Sequence, residues 1–234
     1  MEVCFLASGE QLAVLDADKV QGQSAKTVKQ SLAAQIGVTR FRQKLFWEDG
    51  SEIQDDEVFT SFPLKIQLLV LEFLPPDAEQ GRKMMLAAEE DDSVALEKLL
   101  KSPRSPDVRD ERGCTPLLLA VMRGRLGPTR LLLEAGAELE AQTYVMVPLH
   151  AAASRGHLDV ARALVEAGAE KDPTTQNGLT PIHFAATHGH LDIVRFLVES
   201  GADYHLTARN GSTALDAAIA QEHDEIARYL SELK

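Results

Sequence analysis

Aromatic side chains are scarce in this chain, at 5% of its 234 residues, which points away from a ring-rich core and towards helices built from small residues. Cysteine is scarcer still. Cys4 and Cys114 are the only two, too few for a disulfide framework or a cysteine zinc site, and the expected compartment is a reducing one: the cytoplasm, with the nucleus as a second choice. Cationic excess is lacking too. The formal net charge of −12 argues against a general binder of DNA or RNA backbones, which needs surplus positive charge. The longest apolar run, around Leu68 to Val70, is far shorter than a membrane span. Met1 to Ala7 carries Glu2 where a signal peptide would be basic, so no leader is expected there. No Gly-rich phosphate loop, HExxH or GxSxG occurs, leaving catalysis without positive support and no cofactor or metal expected.

What is present is a period. Pro116, Pro148 and Pro181 lie 32 and 33 residues apart, and Ala214 takes the same place 33 residues on. A Gly-Ala pair follows three of these blocks, at Gly136-Ala137, Gly168-Ala169 and Gly201-Ala202. A period near 33 marks stacked repeats in which no single unit can bury its apolar face alone. Such arrays bind macromolecules more often than they catalyse.

The composition changes at Leu74-Pro75-Pro76-Asp77, since paired prolines can continue neither a strand nor a helix interior. Before this point no 33-residue period is visible. Val3–Leu6 and Gln11–Leu15 read as strands around a turn at Ser8-Gly9-Glu10. Ser24 precedes Val28, Leu32 and Ile36, one stripe on an amphipathic helix that Gly37 would close. Lys44–Trp47 is a strand followed by an Asp49-Gly50 turn, and the apolar Ile66–Phe73 is a final, central strand.

Asn177-Gly-Leu-Thr-Pro-Ile-His-Phe-Ala-Ala-Thr-His-Gly-His-Leu-Asp-Ile-Val-Arg-Phe-Leu-Val-Glu-Ser-Gly-Ala-Asp203 resembles the ankyrin repeat almost throughout. The likeness extends over roughly Gly81 to Lys234. Within it Thr180 can cap the first helix and Pro181 suits its first position. Ala185 and Ala186 allow close approach; Leu191, Val194, Leu197 and Val198 are expected to form the apolar face of the second helix. Five repeats are counted: a degenerate 82–110, with Val94, Leu96, Leu99 and Leu100 on its second helix, then 111–143, 144–176, 177–209, and a C-terminal cap, 210–234, whose outward charges suit a terminal repeat. That end is expected to be complete. In the third repeat Val145 and Val147 replace the turn glycine and the capping threonine, predicting a weaker or reshaped finger. In the second, Leu118 replaces the motif histidine and Gly127-Pro128 opens the second helix.

The first 74 residues, in the order hairpin, helix, strand, turn, strand, resemble a ubiquitin-like β-grasp domain, on Thr27-Val28-Lys29-Gln30 with Leu32, Arg42-Gln43-Lys44-Leu45-Phe46 and Gly50-Ser51-Glu52-Ile53-Gln54-Asp55-Asp56-Glu57. Conjugation is not implied, because Glu72-Phe73-Leu74-Pro75-Pro76 stands where conjugatable members end in Gly-Gly. The expected organisation is therefore multi-domain: an α+β module over 1–74, a linker over 75–81, and an all-α array over 82–234. Phe46 and Trp47 are neighbours on one strand and so point to opposite faces. Either one forms an outward patch for ubiquitin-pathway partners, or both rings are covered.

His150 and His183, and His157 and His190, occupy motif positions that the resemblance makes architectural. The His188-Gly-His190 triplet lacks a third ligand, and Cys114 lacks an adjacent base. The acidic run Glu89-Glu90-Asp91-Asp92 reads as a solvated loop. In ankyrin arrays partners contact finger tips and the exposed ends of first helices on a concave face. The resemblance thus implies partner contacts at Arg112, Met122, Arg123, Tyr144, Met146, Arg155, Asn177, Leu179, His188 and Arg209, with Cys114, Ser154, Thr187, Asn210, Ser212 and Gln221 beside them. Four of these sixteen are Arg and none is acidic, a local inversion of the chain's sign. Either the face takes an acidic or phosphorylated segment, with Arg123 and Arg155 as anchors, or the arginines only solubilise the loops. The function expected is a non-enzymatic scaffold or adaptor. The alternative is a regulatory or inhibitory subunit whose first domain is a structural cap.

Overall fold

The computed structural model describes residues 2–5, 11–14, 20, 22–47, 51–59, 65–70, 77–102, 105–141 and 146–233. The turns expected at Ser8–Glu10 and Asp49-Gly50, the Leu74-Pro75-Pro76 linker and the finger residues Tyr144 and Val145 lie outside them. The chain divides into two units. One comprises Met1–Pro76 with Leu100–Ser105 and Glu134–Gly136; the other comprises Asp77–Leu99, Pro106–Leu133 and Ala137–Lys234.

In the first unit five strands, β1 (Glu2–Phe5), β2 (Gln11–Val14), β3 (Gln43–Phe46), β4 (Glu52–Ile53) and β5 (Lys65–Val70), form one sheet in the order β2-β1-β5-β3-β4. β5 is central as its apolar run predicts, parallel to β1 and antiparallel to β3. Helix α1 (Ala25–Ile36) starts at Ser24, whose hydroxyl accepts from the Thr27 amide, and ends at Gly37 with φ 69°, a left-handed cap that glycine adopts without strain. Its Val28 and Leu32 pack with Leu45, Ile53, Phe59, Ile66 and Leu68 in one core. Trp47 lies against that core, edge-on to Phe59 at 5.6 Å. Phe46 points to the opposite sheet face, with Lys44, Gln67 and Leu69. Two cations are buried here: Lys29 Nζ donates to Asp55 Oδ1 at 2.8 Å, and Arg40 lies 3.9 Å from Oδ2. Burial pushes the Asp55 carboxyl up, but the Lys29 hydrogen bond and charge outweigh it and hold the group below its ordinary value.

The second unit is a ladder of helix pairs: α2 (Ala78–Glu90) with α3 (Ser93–Leu100), α4 (Pro116–Met122) with α5 (Leu126–Glu134), α6 (Pro148–Arg155) with α7 (Leu158–Glu166), α8 (Pro181–His188) with α9 (Leu191–Glu199), and α10 (Ala214–Ala220) with α11 (Asp224–Glu232). First helices pack in series, α2 on α4, α4 on α6, α6 on α8 and α8 on α10. Helix α2 begins inside the stretch read as linker, because the Asp77 carboxylate accepts from the Glu79 and Gln80 amides. Val94, Leu96, Leu99 and Leu100 fall on α3 as expected; Val94 is 81% exposed, and Leu96 and Leu100 carry the helix's burial. On α9 the fully buried side chains are Ile193, Val194, Phe196 and Leu197, with Leu191 and Val198 at the margin.

Pro at the first helical position recurs at Pro116, Pro148 and Pro181, where its missing N–H is not needed. Thr115 caps α4 through its hydroxyl, and the Thr180 hydroxyl meets His183 Nδ1 at 2.8 Å. Val147 has no hydroxyl to offer; its amide donates to His150 Nδ1 at 3.3 Å, so the imidazole satisfies the backbone at that helix start. The same rings tie repeats together, since His150 Nε2 reaches the Leu179 carbonyl at 3.1 Å and His183 Nε2 the Ser212 carbonyl at 3.2 Å.

A second set of ties runs from the start of each second helix back to the preceding repeat. His190 Nε2 meets the Ser154 carbonyl and His223 Nε2 the Thr187 carbonyl, both at 3.2 Å. His157 makes the matching bond to Met122. These rings lie so close to Gly156 and Gly189 that a Cβ there would sit 2.7 Å from an imidazole carbon. In the second repeat Arg125 does this work, its Nε donating to the Glu89 carbonyl at 3.2 Å. Gly127, odd for a helix start, is explained by close approach: a Cβ would lie 2.5 Å from Ser93 Oγ. Carboxylates add a third set of ties, with Asp107, Glu140 and Asp172 accepting from the amides of Glu138, Glu170 and Asp203. Guanidinium-on-ring contacts add a fourth, Arg162 over Phe196 at 4.7 Å and Arg195 over Tyr229 at 5.0 Å.

Burial holds the His150 and His183 imidazoles below their ordinary value of 6.5, against the upward pull of their carbonyl bonds. Nδ1 of His150 accepts from an amide, so a proton there would face another N–H. A histidine with a depressed folded-state value contributes stability that is complete above pH 6.5 and is lost as pH falls below it. The melting temperature should therefore drop between about pH 7.5 and 5.5. His150→Leu, the residue type found at the equivalent Leu118, should cost about 1–3 kcal/mol at neutral pH through the orphaned amide and carbonyl, yet show a shallower pH dependence. An equal drop in the variant, measured by thermal melts at both pH values, would refute the assignment.

Candidate functional site

Where the first helices of the opening three repeats meet the finger of the second, the chain forms a groove of about 450 Å³, within the size range of ligand-binding clefts. Helix α2 supplies Arg82, Met85, Leu86 and Glu89; the finger supplies Asp110, Arg112 and Cys114; α4 supplies Leu119 and Met122, with Arg123 just beyond its end; and Arg155 closes α6.

The finger is built by one carboxylate. Asp110 Oδ1 accepts from the Arg112 amide at 2.9 Å and the Cys114 amide at 2.7 Å, while Gly113, at φ 76°, turns the chain so that its amide reaches the Asp110 carbonyl. The fourth and fifth fingers repeat the backbone pattern, in bonds from Thr175 to Leu179 and from Ala208 to Ser212. They are linked by the Arg209 amide on the Asn177 carbonyl at 2.9 Å.

Of the side chains expected to meet a partner, Arg112, Met122, Arg123 and Arg155 come together in this groove. Met146, Asn177, Leu179, His188 and Arg209 lie further along the array and do not line it, and Tyr144 lies outside the described residues. Leu179 is half-buried, its carbonyl engaged by His150. His188 stacks parallel on His190 at 6.3 Å, with its Nδ1 on the Phe184 carbonyl. With His190 on Ser154, both rings are committed to backbone.

Two features differ from the pattern of sixteen positions. Arg82 joins the groove from the degenerate first repeat, where sequence matching offered no register. Acids are present too: Asp110 shapes the finger and Glu89 pairs with Arg123, whose Nε and Nη2 reach Glu89 Oε1 at 3.1 and 2.5 Å. The acidic run read as a solvated loop is thus partly committed. Glu89 binds Arg123, Asp91 ends α2 at φ 67°, and Asp92 Oδ1 accepts from the Ala95 amide to start α3. Among the described residues no ion pair engages Arg82, Arg112 or Arg155.

The family model described as ankyrin repeats, three copies, matches residues 84–175 and again 149–234. The chain belongs to the ankyrin-repeat family. A search of the curated proteins finds no match. The ankyrin array is a protein-interaction module. The Cys114 thiol is pushed above its ordinary value by burial first and by the Asp110 charge second, the reverse of what a thiolate nucleophile needs. Among the described residues no three His, Cys, Asp or Glu side chains converge as metal ligands, and no helix is long and apolar enough to cross a membrane.

The thiol shift is directly measurable. In native protein at mildly alkaline pH, Cys114 should alkylate with iodoacetamide more slowly than in denatured protein, as followed by peptide mass spectrometry. Asp110→Asn should speed the native reaction. A native rate equal to or above the denatured one would contradict the burial and charge described.

Proposed function

We propose that this chain is a non-enzymatic adaptor, in which the concave first-helix face of the ankyrin array holds a client protein while the first unit engages a second partner. The observation that carries the reading is the groove across the first three repeats, where guanidiniums border an apolar floor in a chain of net charge −12. Arg and Met are types enriched at the cores of protein interfaces. The client segment is acidic or phosphorylated, since charge-assisted bonds from Arg favour carboxylate and phosphate.

The first unit is read as a ubiquitin-like β-grasp domain. Supporting this are the strand order β2-β1-β5-β3-β4, the parallel β1–β5 pair at its centre and α1 packed on one sheet face. The opposite face presents Phe46 and Leu69 beside Lys44 and Gln67, a mixed patch suited to ubiquitin-pathway machinery. The reading places the protein in the cytoplasm or nucleus. The regulatory alternative, in which the first unit only caps the array, gives a single binding face.

The two readings separate in cross-linking mass spectrometry on the full-length chain in cells. An adaptor should show two partner sets, one lost in Arg112→Glu/Arg155→Glu and the other in Phe46→Asp, with folding of each variant checked by circular dichroism. A Phe46→Asp variant that keeps every partner would remove the adaptor reading and leave the regulatory one.

A further inference from the structure

Resting on the interaction-module reading above, we infer that the groove's occupant is an extended segment of a partner protein bearing several Asp or Glu residues around one bulky apolar side chain. The carboxylates meet Arg82, Arg112 and Arg155, the apolar side chain seats on Leu86 and Met122, and Glu89 occupies Arg123 in the place of a further client carboxylate.

Charge complementarity carries the choice of occupant. Four guanidiniums face two acids in the groove, while the chain as a whole is strongly acidic. One of those acids, Asp110, is consumed by its two finger amides. The other is consumed by Arg123. Arg82, Arg112 and Arg155 therefore form no ion pair with either of the groove's acids. They come from α2, the finger and α6, three successive repeats, and are not gathered at one point. That spacing matches single charges distributed along an extended chain better than one compact dianion. Glu89 and Asp110 between them would also repel a phosphate more than a carboxylate, because the phosphate carries nearly twice the charge.

The apolar component is as specific. Leu86 is 53% exposed, and among the described residues only Val58, Val94 and Ile219 are large hydrophobics comparably open. It stands in the groove beside Met85, Leu119 and Met122, a floor of flexible thioether and aliphatic groups that adapts to a Leu, Met, Phe or Trp side chain. Excluding water over that floor strengthens the flanking Arg–carboxylate bonds. Further along the same face Arg209 is the one Arg or Lys among the expected positions, standing apart from the groove among Asn177, Leu179, Thr187, Asn210, Ser212 and Gln221, so the acidic segment is centred on the first three repeats.

The test is selection of short random displayed peptides on the full-length protein, followed by fluorescence anisotropy on the best binder. Enrichment of sequences with at least a pair of acids flanking a large apolar residue is expected. Neutral or basic winners, or no enrichment over Arg112→Glu/Arg155→Glu, overturn the inference. For the selected peptide, either single reversal should weaken binding at least about tenfold. Glu89→Gln should tighten it about threefold by releasing Arg123; unchanged or weaker binding by that variant removes the role given to Glu89. Leu86→Asp should weaken binding as well. Replacing a selected Glu by phosphoserine should gain little, and a gain beyond about tenfold would reassign the groove to phosphopeptides. Displacement of the peptide by polyuridine would reassign it to nucleic acid. Failure of these arms leaves the adaptor reading standing, since that reading is decided by whether cellular partners fall into two separable sets.

Discussion

In the first four repeats a carbonyl at the end of the first helix accepts from a donor in the following repeat, and the array depends on that bond. A helix leaves its last carbonyls orphaned, and here the following repeat supplies the donor. Arg125 reaches Glu89, His157 reaches Met122, His190 reaches Ser154 and His223 reaches Thr187. Each donor sits at the start of a second helix, and at the three histidine ties the nearby Gly124, Gly156 and Gly189 lack a Cβ that would strike the ring. Because these bonds join neighbouring repeats only, cohesion is a sum of nearest-neighbour terms, as expected of a quasi-one-dimensional array. The amide-to-carboxylate ties of Asp107, Glu140 and Asp172 likewise join successive repeats.

That constraint also builds the groove. Glu89, Met122, Ser154 and Thr187 carry the engaged carbonyls, and Glu89, Met122 and the adjoining Arg123 and Arg155 are groove residues. The backbone beside the groove side chains is therefore held by bonds between repeats. Arg82, Arg112 and Arg155 make no ion pair among the described residues, whereas Glu89, Arg123 and Asp110 also tie repeats or shape the finger. Preorganised backbone under variable side chains lowers the ordering cost of binding. It also accounts for the absence of any common chemistry among the exposed positions, Arg123 and Arg155 at one end and His188 at the other.

The architecture was legible in the sequence wherever one residue type answers one physical need. Proline at Pro116, Pro148 and Pro181, threonine at Thr115 and Thr180, and the small Ala185-Ala186 pair each report a local backbone requirement, so the period could be read. Ser24 and Gly37 marked both ends of α1 for the same reason. Legibility failed where the answer lies a repeat away. Nothing local says that Arg125 stands in for a histidine, that Gly127 yields to Ser93, or that Glu89 is matched to Arg123, 34 positions later. Arg82 escaped because the first repeat has too few motif residues to set its register. Which of Val94, Leu96, Leu99 and Leu100 are buried could not be read, since an eight-residue helix leaves little periodicity to measure.

The groove's two acids show why counting charges by position was only half sufficient. The tally of sixteen expected contact positions found arginine without acid, whereas the groove holds two acids as well, and the tally could not separate committed from uncommitted charge. An Arg whose guanidinium already meets a carboxylate contributes little to a partner until that pair is broken, because the new bond replaces one of similar strength. Arg123, a central anchor by position, is of this kind, while Arg112 and Arg155 meet no carboxylate among the described residues. Affinity should therefore lie with the arginines that flank the pair, and the pair itself should act as a filter. For the acidic segment proposed above, a carboxylate would have to displace Glu89 to reach Arg123, so only a strongly acidic segment would add a contact there. An internal competitor of this kind sharpens discrimination between partners at the expense of overall affinity, which is the direction that specificity among acidic proteins requires.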